Sequence, residues 1–285
     1  MNTQLIDGKQ IALEIKDEQK KAAEALSLKG VQPGLAVILV GDNSASKVYV
    51  SNKKKACEYV GIKSFSYELP TETSEEELLE LIHTLNHDKC VHGILVQLPL
   101  PKHMDEQKVI MAISPLKDVD GFHPYNVGAL SIGLNGLVSC TPAGVIELLK
   151  RSNVTIQGKN CVIIGRSNIV GKPVSLLLLR EHGTVTICHS KTQNLELILQ
   201  QADIVVAAVG IAKFIKGHQL KEGAVVIDVG MNRDENGKLC GDVDFDSCQG
   251  IASQITPVPG GVGPMTIAML MHNCIRATKN QEGVN

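Results

Sequence analysis

Short runs of β-branched and aliphatic residues alternate along the chain with stretches in which apolar residues recur every three or four positions. This alternation is typical of parallel α/β architecture, in which a helix connects each strand to the next. The first half of the chain predicts strands at Leu35 to Val40, Ser64 to Leu69 and Gly93 to Gln97. The second half predicts strands at Cys161 to Ile164, Thr184 to Ile187, Ile204 to Ala207 and Ala224 to Val229. The fold class is therefore α/β.

Two helices stand out by their apolar faces. Glu75 to Leu85 is amphipathic, and Ser74 together with Glu77 predicts a capping box at its start. A last helix begins near Thr266, with an apolar stripe formed by Ile267, Leu270, Met271, Cys274 and Ile275. Such a stripe has to pack against another part of the protein.

A boundary between two α/β series is predicted in the middle of the chain. Residues 127–139 are rich in glycine and weakly patterned, which is typical of a linker. The second series then opens with Thr141 as the N-cap of a helix, Pro142 at its first position and an end at about Arg151. We therefore expect two domains.

Composition narrows the possible partners. Twenty-eight basic against 30 acidic residues give a net charge of -2, which provides no overall attraction to nucleic acid or to an anionic membrane. The start Met1 to Gln4 is polar and no later run has the length of a membrane span, so we expect a cytoplasmic protein. The eight cysteines are scattered without a CxxC pair, and several lie in apolar runs, so we expect reduced core thiols. We expect no metal site at the nine histidines. Small molecules are the expected partners.

A nucleotide site is indicated by Val162 to Gly171, which has the pattern of a strand, a tight turn and a helix start. Backbone amides at such a helix start suit a pyrophosphate. Ser167 stands where the middle glycine of GxGxxG would be, so we expect the phosphates to sit somewhat differently. Alternatively, Gly165 and Gly171 serve only a close packing of strand and helix.

The cofactor is indicated by the end of the next strand, where NAD-binding folds place an acid for the ribose hydroxyls. The chain has Cys188-His189-Ser190-Lys191-Thr192 there, without an acid. Arg166 and Ser190 could instead meet a 2′-phosphate, and Lys191 is either a further contact or a solvated loop charge. We therefore expect NADP.

Four segments in order carry a resemblance to a known family: Val40 to Ser46 with Tyr49 to Lys53, Gly93 to Pro101, Lys117 to Asn126, and Pro257 to Thr266. Over nearly its whole length the chain resembles the bifunctional methylenetetrahydrofolate dehydrogenase/cyclohydrolase family. Ser44 departs from the proline that is usual there, which affects turn stiffness and not chemistry. The resemblance implies a catalytic domain 1–138 completed by the helix 266–285, a Rossmann-like NADP-binding domain 139–265, and a cleft between them.

The resemblance also implies an activity. Hydride passes from 5,10-methylenetetrahydrofolate to NADP+, and water then converts the methenyl product to 10-formyltetrahydrofolate. This places the chain in one-carbon metabolism, tetrahydrofolate interconversion and purine biosynthesis. It further implies a homodimer, formed through the nucleotide-binding domain.

Tyr49 and Lys53 lie four residues apart on a probable helix and so share a face. An aromatic ring beside an amine suits a flat, conjugated substrate. By resemblance, Tyr49 stacks on folate, Lys53 is the catalytic lysine, and Gln97 hydrogen-bonds and tunes it. From the residues alone, Lys53-Lys54-Lys55 would ordinarily be a solvated charged face, and satisfying backbone groups at a strand end would be the default role of Gln97.

The segment Lys117-Asp118-Val119-Asp120-Gly121 offers two acids, either of which could be a turn residue. The family pattern selects Asp120, whose carboxylate would accept hydrogen bonds from the pterin amino group and ring N–H. The loop Pro257 to Thr266 permits close backbone approach, and by resemblance it borders folate and nicotinamide. It could also act as a hinge.

The resemblance thus implies a complete set of site residues, without a metal ligand. The catalytic residues are Lys53, Gln97 and Asp120. Folate binding involves these three together with Tyr49, Leu98, Pro259 and Gly260. NADP binding involves Thr141, Gly165, Arg166, Ser167, Val170, Gly171, His189, Ser190, Val209, Gly210, Ile211, Gly263 and Thr266.

Two other functions fit parts of the sequence. A shikimate-type NADP dehydrogenase would share the two-domain fold, but it would not require the combination of Tyr49, Lys53, Gln97 and Asp120. A non-catalytic folate or nucleotide sensor would keep the fold and lose turnover, and the intact Lys53, Gln97 and Asp120 argue against it.

Overall fold

The computed structural model describes residues 2–284. Close contacts divide the chain into two compact units, each named here by its main sheet. The six-stranded unit comprises Met1–Ala12 and Thr141–Thr266, and the three-stranded unit comprises Leu13–Cys140 and Ile267–Asn285. No helix within residues 2–284 combines the length and the apolar character needed to cross a membrane.

The helices and strands follow one another in α/β order. They are β1 Gln4–Leu5, α1 Gly8–Leu28, β2 Gly34–Val40, α2 Ser44–Val60, β3 Lys63–Leu69, α3 Glu75–His87, β4 Gly93–Val96, α4 Glu106–Ala112, α5 Pro124–Ser131, α6 Cys140–Arg151, β5 Asn160–Ile164, α7 Gly171–Arg180, β6 Thr184–Cys188, α8 Leu195–Leu199, β7 Ile204–Ala207, β8 Val225–Asp228, β9 Asn232–Arg233, β10 Leu239–Cys240, β11 Gln254–Ile255 and α9 Val262–Glu282. All seven strands expected from the pattern are present within a residue or so at each end, and the α/β class is confirmed.

The three-stranded unit contains a parallel sheet in the order β3-β2-β4. The central strand β2 is apolar and buried along its whole length, as expected for a strand covered on both faces. Helix α3 packs Leu78, Ile82 and Leu85 into the core beside this sheet. The predicted capping box is confirmed, since Ser74 Oγ accepts from the Glu77 amide and the Glu77 carboxylate accepts from the Ser74 amide.

The six-stranded unit contains a parallel sheet in the order β1-β11-β8-β7-β5-β6. Strands β7 and β8 are buried throughout, whereas β6 lies at one edge and is largely exposed. The two-residue strands β1 and β11 extend the opposite edge. They are too short to produce a periodic pattern, so the sequence does not predict them. Strands β9 and β10 form a separate antiparallel hairpin.

Two predicted helix starts are wrong. Helix α6 begins at Cys140, so Thr141 lies in the first turn and is not the N-cap; its hydroxyl instead hydrogen-bonds the Thr266 hydroxyl at 2.9 Å. Helix α9 begins at Val262, four residues before Thr266. Its Pro264 is tolerated because the first-turn amides of a helix have no partner within the helix.

The predicted linker is also partly wrong, because its first residues belong to α5. His123 caps this helix by accepting from the Tyr125 amide at 3.0 Å, and Pro124 occupies the first helical turn. Only residues 132–139 are irregular. They are tied down by the buried Asn126, whose Oδ1 accepts from the Leu137 amide at 3.2 Å.

The residues of α9 from Ile267 onward pack within the three-stranded unit. Asn273 Nδ2 donates to the carbonyls of Val119 at 2.8 Å and Val138 at 2.7 Å, and Gln281 Nε2 donates to the carbonyl of His92 at 2.7 Å. The apolar stripe predicted for this helix is buried, apart from the half-buried Ile267. The last helix therefore contributes to the core that surrounds β2 and β4.

Candidate active site

Lys53 and Gln97 form a hydrogen-bonded pair in the three-stranded unit. Lys53 comes from α2 and is only 8% exposed. Its Nζ donates to Gln97 Oε1 at 2.9 Å, while Gln97 Nε2 donates to the Leu98 carbonyl at 2.7 Å. Because the Leu98 carbonyl takes the amide NH2, the amide oxygen of Gln97 must face the lysine. The result is a buried amine held by a single neutral acceptor among the described residues.

Tyr49 lies one turn before Lys53 on α2, on the same face of the helix. Its side chain is 37% exposed, and partial burial raises the pKa of its hydroxyl. The ring is therefore accessible to a flat ligand beside the Lys53 amine.

Asp118 is a structural acid whose carboxylate is used mainly within the fold. It is buried, and it accepts from the amides of Phe122 at 3.2 Å and His123 at 2.8 Å and from Asn126 Nδ2 at 2.9 Å. These bonds close the turn that leads into α5. A carboxylate with three internal donors has little capacity left for a ligand.

Asp120 differs, since no donor among the described residues hydrogen-bonds its partly buried carboxylate. Burial raises its pKa to about 6, Lys53 opposes this rise through its positive charge, and Asp118 adds to it. The electrostatic effect of Lys53 places the two groups in one neighbourhood. The three-stranded unit therefore brings together Lys53, Gln97 and Asp120. The Asp120 carboxylate is an acceptor that no described residue uses.

The backbone around Asp120 is fixed by Asn273 and Gly121. Asn273 holds the Val119 carbonyl from α9. Gly121 has φ +72°, and a Cβ there would lie 2.4 Å from the Ser139 amide nitrogen, so only glycine permits this approach. An amide side chain within the apolar stripe of the last helix was the available signal for Asn273.

The turn after β5, which the sequence predicts to bind the nucleotide, is closely packed. A Cβ at Gly165 would lie 2.2 Å from the Ala208 carbonyl oxygen, and one at Gly171 would lie 2.3 Å from that of Gly165. Both glycines therefore serve close packing, whatever else they do. Ser167 Oγ accepts from the amides of Val170 at 3.1 Å and Gly171 at 3.3 Å, which explains a hydroxyl side chain at this position.

Arg166 and Ser190 lie at the same edge of the sheet. Ile164 and Cys188 are register partners in the parallel pair β5 and β6. Arg166 lies two residues after Ile164, and Ser190 lies two residues after Cys188. Both are exposed, as is Lys191. A basic, acid-free edge of this kind fits the 2′-phosphate of NADP.

The turn that carries Ser190 is held by its neighbours. The His189 amide donates to Thr192 Oγ1 at 2.9 Å, and the Lys191 amide donates to His189 Nδ1 at 3.1 Å. The imidazole of His189 thus uses one nitrogen to shape this turn.

The other predicted cofactor residues lie elsewhere in the six-stranded unit. Val209, Gly210 and Ile211 follow β7 and donate their amides to the Asp242 carboxylate. Gly263 lies in the first turn of α9.

The loop before α9 holds the two predicted folate residues of the six-stranded unit. Pro259 is exposed, and Gly260 is buried with φ +108°, a conformation that favours glycine. A Cβ at Gly260 would lie 3.3 Å from Lys9 Cε, so the aliphatic part of that lysine covers the loop.

One histidine pair has a spacing that is common among metal ligands. His83 and His87 form an HxxxH pair on α3, with ring centroids 4.5 Å apart. His87 Nδ1 is hydrogen-bonded to the His83 carbonyl at 2.8 Å. Within residues 2–284, no group of three histidine, cysteine, aspartate or glutamate side chains is placed to hold a metal ion.

Comparison with known proteins gives consistent matches over the whole chain. Residues 6–120 match the family model described as tetrahydrofolate dehydrogenase/cyclohydrolase, catalytic domain, and residues 139–282 match the NAD(P)-binding domain of the same family. A curated relative, Bifunctional protein FolD from Lachnoclostridium phytofermentans, is 64% identical over 275 residues, covering 96% of this chain and 98% of the relative.

Solved structures agree with this match. The bifunctional FolD methylenetetrahydrofolate dehydrogenase/cyclohydrolase of Campylobacter jejuni is 52% identical with a TM-score of 0.96, covering 98% of this chain and 99% of that one. The methylenetetrahydrofolate dehydrogenase-cyclohydrolase of Trypanosoma brucei, complexed with NADP cofactor and inhibitor, is 41% identical with a TM-score of 0.94, covering 99% of both chains.

Proposed function

Because the chain belongs to the tetrahydrofolate dehydrogenase/cyclohydrolase family, we propose that Lys53, Gln97 and Asp120 form the centre at which it converts folate. The protein oxidises 5,10-methylenetetrahydrofolate with NADP+ and hydrolyses the methenyl product to 10-formyltetrahydrofolate. Both reactions and the cofactor agree with the expectation from the sequence. The shikimate-type and sensor alternatives are thereby set aside.

In this proposal the six-stranded unit binds the cofactor at the turn after β5. NADP+ supplies the hydride acceptor when it is bound. Gly165 lets the Ala208 backbone pack against this turn, and the positive end of the α7 dipole lies at the same turn. Arg166 and Ser190 receive the 2′-phosphate, because they follow paired strands and no acid repels it there.

Asp120 is the proposed anchor for the pterin. Its carboxylate is an acceptor without an internal donor, and in the ionised form it can accept two hydrogen bonds from adjacent N–H groups. Hydrogen bonds to a charged group typically contribute about 1.5–3 kcal/mol each. The exposed ring of Tyr49 offers a stacking surface on the same side of α2 as Lys53.

Lys53, in its neutral amine form, is the proposed proton acceptor of the hydrolytic step. As water forms a bond to the methenyl carbon, one of its protons moves to Nζ of Lys53. The bond from this carbon to N5 then breaks, N5 takes the hydroxyl proton, and the formyl group stays on N10. Gln97 Oε1 holds one Nζ hydrogen and thereby directs the amine. A positioned base of this kind typically contributes about 10²–10⁴ in rate.

The Lys53–Gln97 hydrogen bond of 2.9 Å is the observation that carries this proposal. The test is a double-mutant cycle on hydrolysis of methenyltetrahydrofolate with Lys53→Gln, Gln97→Ala and the combination. If Gln97 acts through Lys53, the double variant costs little more than Lys53→Gln alone. Independent, additive losses would show that Gln97 does not serve Lys53.

We further propose that the chain works as a homodimer in the cytoplasm and supplies formyl groups for purine biosynthesis. The support is the family resemblance. Sedimentation analysis at micromolar concentration should give twice the mass of one chain, and a monomer at every concentration would contradict the dimer.

A further inference from the structure

The loop that follows β7 is held by hydrogen bonds to a buried acid that is not part of the proposed site. Asp242 is fully buried, and its Oδ2 accepts from the amides of Val209 at 2.6 Å and Gly210 at 3.0 Å. Its Oδ1 accepts from the amide of Ile211 at 3.0 Å and from Asn232 Nδ2 at 2.9 Å. Four donors fill one carboxylate, and three of them are consecutive backbone amides.

A second buried acid fixes the first. Asp228, at the end of β8, accepts from the amides of Gly230, Asp242 and Val243, each at 2.9 Å. A Cβ at Gly230 would lie 2.3 Å from Asp242 Oδ1, and one at Gly241 would lie 1.8 Å from Asp228 Oδ2. Both glycines are therefore required for the two carboxylates to reach their donors. Asp228 positions the backbone of Asp242, and Asp242 positions the loop.

The loop after β7 also contacts the turn after β5. The Ala208 carbonyl oxygen lies so close to Gly165 that no side chain fits there, and the Ala208 amide donates to the Ile164 carbonyl at 2.8 Å. On its other side, the Lys213 amide donates to the Gly241 carbonyl at 3.0 Å. A change in the Val209–Ile211 backbone would therefore alter one wall of the cofactor site.

We propose that Asp242 is a positioning residue for NADP: it orders residues 209–211 to receive a part of the cofactor other than its phosphates. The proposal rests on the cofactor site proposed above, to which the family resemblance adds Val209, Gly210 and Ile211. These three amides are committed to a carboxylate and cannot bind a phosphate oxygen, and a buried negative charge behind them repels one. The loop therefore contacts a part of the cofactor that NADP and NAD share, other than the pyrophosphate.

Asp242→Asn keeps the shape of the side chain but replaces one acceptor oxygen with an NH2 group, which cannot accept from the backbone amides. We expect the KM for NADP+ and for NAD+ to rise by the same factor, about tenfold or 1.4 kcal/mol. The turnover number at saturating cofactor should change less than the KM. Cyclohydrolase activity measured without cofactor should stay near that of the wild type, which controls for loss of the fold.

Glu235→Gln is the matched control, since it neutralises an exposed carboxylate in the connection between β9 and β10. It should leave both KM values unchanged. An unchanged KM in folded Asp242→Asn would overturn the proposal, as would a loss confined to NADP+, which would mean that the loop meets the 2′-phosphate.

Asn232→Ser provides a second test if Asp242→Asn does not fold. It removes one of the four donors to Asp242 and leaves the three amide bonds, so the expected rise in both KM values is smaller, about two- to threefold. Unchanged KM values in this folded variant would also contradict the proposal. Failure of the wild-type protein to bind NADP+ in a calorimetric titration would instead refute the cofactor site itself.

Discussion

One pair of aspartates in each unit can be compared by the number of internal donors that hydrogen-bond the two carboxylates. In the six-stranded unit Asp228 accepts from three donors and Asp242 from four. In the three-stranded unit Asp118 accepts from three, whereas Asp120 has no internal donor among the described residues. Burial raises the pKa of both Asp120 and Asp228 to about 6. A raised pKa therefore does not separate Asp120, the proposed ligand-binding acid, from the structural Asp228, whereas the number of internal donors does.

Two buried lysines of the three-stranded unit show the same contrast. Lys117 is 7% exposed, and its Nζ donates to the carbonyls of Leu85 at 3.0 Å and Asp88 at 2.8 Å, where it closes the end of α3. Lys53 is buried to the same degree, and its only described hydrogen-bond partner is Gln97. The incompletely satisfied lysine is the one beside the incompletely satisfied acid.

The largest effect is expected at Lys53. Lys53→Gln keeps a polar side chain but cannot accept a proton from water, so cyclohydrolase activity should fall by about 10²–10⁴. Dehydrogenase activity should remain measurable, because hydride transfer depends chiefly on the placement of the substrate. The methenyl intermediate should then accumulate, which its absorbance reports. Exposed Lys54 is the matched control, and Lys54→Gln should leave both rates unchanged.

Hydrolysis by Lys53→Gln at the wild-type rate, after subtraction of the nonenzymatic background, would remove Lys53 from the mechanism. The number of internal hydrogen-bond partners would then fail to identify the functional lysine.

The next largest effect is expected at Asp120. Asp120→Ala removes the carboxylate proposed to accept two hydrogen bonds from the pterin, so folate affinity and both activities should fall by about a hundredfold, the lower end for the loss of two charged hydrogen bonds. NADP+ affinity should not change. Asp118→Ala instead leaves three internal donors unsatisfied, so its main effect should be a lower melting temperature. Unchanged folate affinity in Asp120→Ala would reverse the assignment of the two acids.

A smaller effect is expected at Arg166, an exposed cation without a described hydrogen-bond partner. Arg166→Ala should raise the KM for NADP+ by about tenfold, the typical value of one charged contact, and leave NAD+ use nearly unchanged. Arg180→Ala, which alters an exposed arginine at the end of α7, is the control. An equal loss with both cofactors would show that Arg166 supports the turn and does not contact the phosphate.

The smallest effect is a change in stability with pH. The raised pKa of Asp120 means that the folded state binds this proton more tightly than the unfolded chain. This contribution is fully present below the unfolded pKa of 3.8 and is lost as pH rises through about 6. Asp120→Asn mimics the neutral form, so its melting temperature should exceed that of the wild type by about 2 °C at pH 8 and by less at pH 5.

Asp228→Asn sharpens this test, because it disturbs three backbone hydrogen bonds and should lower the melting temperature at both pH values. A gain for Asp228→Asn at pH 8 as large as that for Asp120→Asn would show that internal donors do not distinguish the two acids.

Local patterns were sufficient to predict the main strands and the capping box at Ser74. These features depend on the spacing of apolar residues and on contacts three residues apart. The start of α9 was missed because proline and two glycines near its beginning resemble a loop, although the first turn of a helix tolerates proline.

The family motifs indicated Lys53 and Gln97, which are 44 residues apart in the chain, and periodicity alone would not have paired them. The roles of Asp242 and Asn273 were not predicted for the same reason. Asp242 acts on a loop more than 30 residues earlier in the chain, and Asn273 on a carbonyl 154 residues earlier. A single sequence carries no signal for such pairs beyond a polar residue in apolar surroundings.

The contribution of α9 to the three-stranded unit affects the order in which the protein can fold during synthesis. Nascent domains generally fold from the amino-terminal end as the ribosome releases them. Residues 13–140 are made early, yet their core includes residues from 267 onward, and the carbonyl before Asp120 is held by Asn273. The segment that carries Lys53, Gln97 and Asp120 must therefore wait, incompletely packed, while the six-stranded unit is synthesised, and it reaches its final structure only after α9 has emerged.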